Sequence, residues 1–216
     1  MRRIVLIALS AIMALVLAIP MASGEETRNL ADLTAEWWNW ASQSPSSLEG
    51  SYTGGTKCEG EYLDGVFFLS TSFATKPVMR TCTVPAHMPI LFPVVNVLCS
   101  EITGDKPPYA KCATDNTDQT VDPPSTWYST LDGNELERQR IATGLFQWTI
   151  ASDNPFGLEA GTYQAGSDGL WVFLEEGLER GEHKIVFGGT YEDTPFNTRR
   201  PSFKAARVTY ILTAVD

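Results

Sequence analysis

Apolar and polar residues alternate with period two over much of this chain, and that alternation places most of its elements. VFFLSTSF (66–73) is β-branched and aromatic. In VMRTCTV (78–84), Val78, Cys82 and Val84 fall on one side and Met79, Thr81 and Thr83 on the other; Arg80 is the polar exception on the first side. Residues 82–99, CTVPAHMPILFPVVNVLC, are the most apolar stretch beyond the first twenty residues. The core of that stretch, Pro89 to Leu98, is too short for a bilayer, which takes about 20 residues. Prolines 85, 89 and 93 also argue against a helix. The pattern predicts a strand buried on both sides, with Ile90, Phe92, Val94 and Asn96 facing one way and Leu91, Pro93, Val95 and Val97 the other. Pro93 belongs at an edge or a bulge.

Further strands are expected at Trp127–Leu131, 145–150, 170–176, 183–191 and 202–215. Asp132-Gly133 supplies a type I′ hairpin turn, and GLERGE (177–182) reads as a second hairpin. In the last strand Val208, Tyr210, Leu212 and Ala214 alternate against Thr209, Ile211, Thr213 and Val215.

Helical spacing is clearest in NLADLTAEWWNWASQSP (29–45). Leu30, Leu33, Trp37 and Trp40 or Ala41 make one face; Asn29 or Asp32 can cap the start, and Pro45 lies beyond the end. Trp38 points off that face; it is the candidate surface aromatic for a sugar ring, although a tryptophan so placed more often packs under a neighbouring loop. Residues 100–124, with KPP, DNTD and DPP, read as a polar excursion pinned by Cys112. The helices that a parallel α/β sheet needs after each strand are missing. The expected fold class is therefore mostly β: an antiparallel β-sandwich, jelly-roll or immunoglobulin-like, with one N-terminal helix.

The first residues change the picture of where this happens. MRRIVLIALSAIMALVLAIPMASG has a basic start, an apolar run, a helix-breaking Pro20 and small residues at 22–24. This is the layout of a secretory signal, so residues 1–24 are expected to be removed and residues 25–216 to form a single secreted domain without a membrane span. Losing Arg2 and Arg3 leaves 14 Lys+Arg against 26 Asp+Glu, a net charge of −12. So acidic a protein repels phosphate backbones, which excludes nucleic acid as a natural partner. Four cysteines, at 58, 82, 99 and 112, imply two disulfides in an exported chain. Three pairings exist; spacing and strand order favour Cys58–Cys82 and Cys99–Cys112. No C-x-x-C pair suggests zinc.

Candidate chemistry is sparse. The chain has two histidines, His87 and His183, no G-x-S-x-G elbow and no phosphate-binding glycine loop. His87, Asn96, Asp168, Trp171, Glu182 and His183 form the candidate pocket, and His87, His183 and Asp168 could converge on a metal if the fold allowed it. Asp115, Asp118 and Asp122, with Asn116, place oxygen ligands in one stretch and give a weak Ca²⁺ candidate, without the glycine and glutamate of an EF-hand. A strand-end histidine more often bonds a loop than catalyses.

W-x-W in the helix (Trp38, Trp40), Cys58, GVFFLSTSF, RTCTVPA, LFPVVN with Cys99, LDG and SDGLWVFLEEGLERGEHKIVFGG together resemble a group of exported prokaryotic proteins to which no activity attaches. The resemblance covers most of the mature chain and implies a secreted β-sandwich and no reaction. After VPA that group carries Gly-Lys where this chain has His87-Met88. The expected function is a non-catalytic binding or structural domain of the cell envelope or its surroundings, engaging carbohydrate or another surface. The alternative is a secreted hydrolase or metal-dependent enzyme built on His87, His183 and nearby carboxylates.

Overall fold

The computed structural model describes residues 29–43, 60–63, 65–72, 77–122, 126–190 and 204–216. Eleven strands, two α-helices and one 3-10 turn are present among them. In chain order these are α1 (Leu30–Gln43), β1 (Gly60–Leu63), β2 (Val66–Leu69), β3 (Val78–Pro85), β4 (Ile90–Ser100), the turn Glu101–Thr103, α2 (Tyr109–Val121), β5 (Thr126–Leu131), β6 (Asn134–Glu135), β7 (Gln139–Ala142), β8 (Phe146–Ile150), β9 (Gly161–Leu174), β10 (Gly181–Thr190) and β11 (Lys204–Val215). The protein is mostly β. The expected signal segment, residues 1–24, and Cys58 lie outside the described residues.

The strands make two sheets. Sheet A runs β1-β2-β4-β9-β7, with β8 also on β9; sheet B runs β3-β11-β10-β5-β6. One apolar cluster draws on both: Phe67, Ile90, Phe92, Val94 and Val172 from sheet A meet Val84, Ile185, Phe187, Val208, Tyr210 and Leu212 from sheet B. The alternation read in β3 and β11 holds, with Cys82, Val84, Val208, Tyr210, Leu212 and Ala214 inward and Met79, Thr81 and Thr83 outward. Arg80, expected as a polar intruder, is wholly buried; its Nη1 donates to the carbonyls of Ser70 and Thr71 and to the hydroxyls of Ser70 and Tyr210.

Several expectations are corrected. The sheets are not purely antiparallel, because β2 pairs parallel with β4 and β3 parallel with β11. No helix is needed for the first of these, since the chain leaves sheet A after β2, forms β3 in sheet B and returns as β4. Residues 177–182 are not a hairpin turn: β9 belongs to sheet A and β10 to sheet B, so this segment joins the two sheets. Asp132-Gly133 does close the β5–β6 hairpin, with φ of 51° and 85°. In β4 a register shift between Pro93 and Val95 reverses the facing of the residues beyond it. Asn96, expected beside Phe92, instead pairs with Gly169, next to the Leu98–Ser167 pair, and Leu98 packs on the other side of the sheet. A bulge inserts one residue, and period two cannot reveal it.

Among the described residues the helix count is two, not one. On α1, Asn29 Oδ1 accepts from the Ala31 N–H at the start. Trp37, Trp40 and Ala41 pack with Val66, Phe68, Leu91, Trp148 and Trp171 on the outer face of sheet A. Helix α2 fills the expected polar excursion. Its buried face is Tyr109, Ala113 and Thr117, one residue per turn. A Cβ at Gly166 of β9 would run into the Ala110 backbone, so glycine there lets the helix lie directly on sheet A. The disulfide Cys99–Cys112 ties α2 to β4, as expected. Cys82 is disulfide-bonded as well, while the other half of the expected Cys58–Cys82 pair lies outside the described residues. No helix among the described residues is long and apolar enough to cross a membrane.

Candidate functional site

Three loops meet at one end of the molecule. The β5–β6 turn brings Asp132, the crossing segment 175–180 brings Glu179, and the β3–β4 turn brings His87. His183, on β10, stands at their centre. Its Nδ1 lies 2.8 Å from Asp132 Oδ2 and its Nε2 lies 2.9 Å from the Glu179 carbonyl oxygen. The other carboxylate oxygen of Asp132 accepts the Lys184 N–H at 2.7 Å, and the Asp132 N–H donates to the Lys184 carbonyl. Asp132 can hold this position because its short side chain tolerates the left-handed backbone of a type I′ turn. His87 Nε2 lies 3.7 Å from Glu179 Oε2, both side chains exposed, and its N–H donates to the Leu178 carbonyl at 2.8 Å. His87 also has a positive φ, 57°. That geometry favours glycine.

The electrostatics follow from these contacts. The hydrogen bond with Asp132 raises the His183 pKa above its ordinary value; desolvation opposes this, and the Glu179 carbonyl and carboxylate add to it. Burial by itself would raise the Asp132 carboxyl, but its bonds with His183 and the Lys184 N–H, and the imidazolium charge, bring it below the ordinary value.

The two histidines therefore do share one end of the fold, joined through Glu179. The rest of the expected pocket does not assemble around them. Asp168 lies on β9, six residues before its end at Leu174, roughly 20 Å along the strand at ~3.3 Å per residue. It is 1% exposed and grips Arg140, whose Nε lies 3.2 Å from both carboxylate oxygens and whose Nη2 lies 2.7 Å from one. Arg140 also reaches Asp118 of α2, and these hydrogen bonds, Asp168's first, hold the guanidinium firmly charged. Trp171 faces the α1 side of sheet A, its ring 5.4 Å from that of Trp37. The Nε1 of Trp171 and the Nδ2 of Asn96 have no hydrogen-bond partner among the described residues. Glu182 is exposed and pairs in register with Thr213, on the side of sheet B away from the shared core. Strand alternation sends neighbours such as Glu182 and His183 to opposite sides, which is why the six residues do not converge.

Two other expectations are corrected. Trp38 is not a surface aromatic: it is 5% exposed, and its Nε1 donates to Ser167 Oγ at 2.7 Å. Helix α1 lies flat on sheet A, so its flank as well as its central face is covered. The calcium candidates do not share a loop. Asp115 and Asp118 project from α2, where Lys111 pairs with the first and Arg140 with the second, and Asp122 ends the helix. Asp132, Glu179 and Arg140 were not among the expected site residues. Asp132 carried a signal, the D-G turn; Glu179 and Arg140 carried none, since each acquires its role from a crossing or an edge pairing.

No protein family and no curated protein matches the chain. Among solved structures, it is similar to the cysteine protease inhibitor EhICP2 from Entamoeba histolytica at 10% identity, covering 69% of this chain and 96% of that one with a TM-score of 0.24. It is also similar to amebosin at 12% identity, covering 70% of this chain and all of that one with a TM-score of 0.21. Likenesses this distant carry no argument about fold or activity.

Proposed function

We propose that this is a secreted, non-catalytic binding domain of β-sandwich type, jelly-roll or immunoglobulin-like, which engages an uncharged carbohydrate surface through the outer face of sheet B. The observation that carries this reading is the state of that face. Met79, Thr209, Val186 and Thr130 stand in one register row across four strands, with Thr81 and Thr83 beside them on β3 and Thr213 beside them on β11. Met79 is 59% exposed, and Tyr128 on β5 and Val215 at the far end of β11 are exposed elsewhere in the sheet. Thr209, at the centre of the row, is 5% exposed, so the open part of the face is Met79, Thr81 and Thr83 along β3, with Thr213 of β11. The central row carries methyl groups and hydroxyls, and Lys184 and Glu182 stand in the rows beside it on the same face; such a mixed surface suits sugar rings, which offer both apolar faces and hydroxyls. The overall acidity disfavours anionic polymers. The Cys99–Cys112 bridge is compatible with an oxidising, extracytoplasmic location.

Sedimentation of the oxidised mature protein with neutral polysaccharides, followed by a glycan panel, tests the reading. Binding should fall by about tenfold, equivalent to about 1.4 kcal/mol, in Met79→Lys/Thr81→Lys. Binding that is absent throughout, or unchanged in that variant, sinks it. The alternative, a secreted hydrolase or metal-dependent enzyme, draws on one observation, the meeting of His87 and His183 at Glu179. Ester and glycoside hydrolysis that survives purification and disappears in His87→Ala would favour it.

A further inference from the structure

We propose that His183 is a proton-operated clamp that holds the crossing segment 175–180 against sheet B and releases its outer part when the imidazole loses its proton. The inference goes beyond the binding reading and does not rest on it. Each ring nitrogen of His183 faces an acceptor: the Asp132 carboxylate at 2.8 Å and the Glu179 carbonyl at 2.9 Å. A neutral imidazole carries one N–H, so both bonds together require the imidazolium.

The geometry also decides which side lets go. A carboxylate is a stronger acceptor than a carbonyl, so the remaining proton stays on Nδ1. Nε2 then turns a lone pair toward the Glu179 oxygen, and an attractive contact becomes a repulsive one. Asp132 keeps its two backbone ties to Lys184, so the β5–β6 turn stays in place. Leu178, buried in the shared core, anchors the other end of the segment. The part that loosens is Glu179 and Arg180.

The charged groups around this point are few among the described residues. Asp132 comes from the β5–β6 turn. Glu179 is paired with His87 of the β3–β4 turn, and Arg180 with Asp216 at the end of β11. Lys184, next on β10, bonds Asp132 through its backbone, and Glu182, the residue before His183, lies on the outer side of the sheet. Release therefore also frees His87 and Arg180 from their partners, so deprotonation changes the charge pattern this end presents to the medium. In an exported protein the medium's own pH would operate the clamp.

Hydrogen exchange on the full oxidised chain, with protection factors corrected for intrinsic rates, tests this at pH 5.5 and pH 8.5. Protection of the His87 amide, which donates to the Leu178 carbonyl beside the loosened residues, should drop at least several-fold at the higher pH, while that of the β11 amides stays unchanged. In His183→Gln the pH dependence should vanish. A second measurement covers a variant that fails to fold: the His183 midpoint read by NMR in the wild type should lie above the ordinary value of about 6.5, and Asp132→Asn should lower it. Equal protection at both pH values overturns the clamp. So does the same pH dependence in His183→Gln, or a wild-type midpoint at or below the ordinary one.

Discussion

Helices α1 and α2 both cover sheet A, and they do so by different means. Helix α1 lies on the outer face with three tryptophans, two of which reach across to bond Leu69 and Ser167 of the sheet. Trp148 of β8 reciprocates, donating to Ser42 Oγ. Helix α2 lies near Gly166 and Asp168 with one tyrosine, one alanine and one threonine on its buried side. It compensates for its small apolar area in three ways: a glycine opposite that admits the backbone, a disulfide to β4, and Arg140, which bonds Asp168 below and Asp118 and the Thr114 carbonyl above. A helix can thus be held by apolar area or by specific ties. Only the first leaves a periodic trace.

The difference can be broken at α1 first. Trp37 is fully buried among Trp38, Trp40 and Trp171. Trp37→Ala should cost about 4 kcal/mol by urea denaturation, as large aromatic truncations in packed cores do. A loss under about 1 kcal/mol would mean that α1 is an ornament on the sheet and not part of its core. At α2 the corresponding break is the disulfide. Cys99→Ser/Cys112→Ser should cost about 3 kcal/mol from loop-closure entropy, with amide exchange rising in α2 before the strands. An α1 that frays first would reverse the comparison.

Arg140→Ala should have a smaller effect, about 2 kcal/mol, below the range for fully buried pairs because water reaches the guanidinium. The loss comes from leaving the Asp168 carboxylate buried without its partner. Asp168→Asn combined with Arg140→Ala should recover part of it, measurable as a non-additive pair. The least of these effects is the pH dependence of stability contributed by His183 and Asp132. The raised His183 pKa means its contribution is whole below the ordinary histidine value and fades as pH climbs through the folded one. The lowered Asp132 pKa means its contribution is whole above the ordinary aspartate value and fades as pH drops through the folded one. Both are present together between about pH 4 and about pH 6.5. Urea midpoints should decline on the alkaline side of that window, and His183→Gln should flatten the decline.

How much of this was legible follows the same division. Helix α1, the inward side of β3 apart from Arg80, and Val208 to Ala214 of β11 were readable because each buries a row of apolar groups. Residues 109–121 were not, since Tyr, Ala and Thr among Lys, Asp and Asn look like solvated chain until Gly166 and Cys99 are placed beneath them. Trp38 stayed open between a surface and a packed role because a single helical stripe does not say how wide the covering contact is. Of the candidate site, His87 and His183 were identifiable as the only histidines, yet their meeting at Glu179 depends on segment 175–180 crossing between sheets and not turning back as a hairpin. Asp168, expected in the pocket, is instead the buried anchor of an arginine.

By itself the sequence determined the strand character of the chain, the front helix, the cysteine count that permits two cross-links, and the type I′ turn at Asp132-Gly133. These depend on residues near each other along the chain, where period and backbone preference act directly. Tertiary structure alone decided which sheet each strand joins, the parallel pairs, the reversal after the bulge in β4, the helical state of residues 109–121 and the partners of His183. Each of those depends on a contact between distant segments, and a one-residue shift or a change of sheet alters it without altering the local pattern at all.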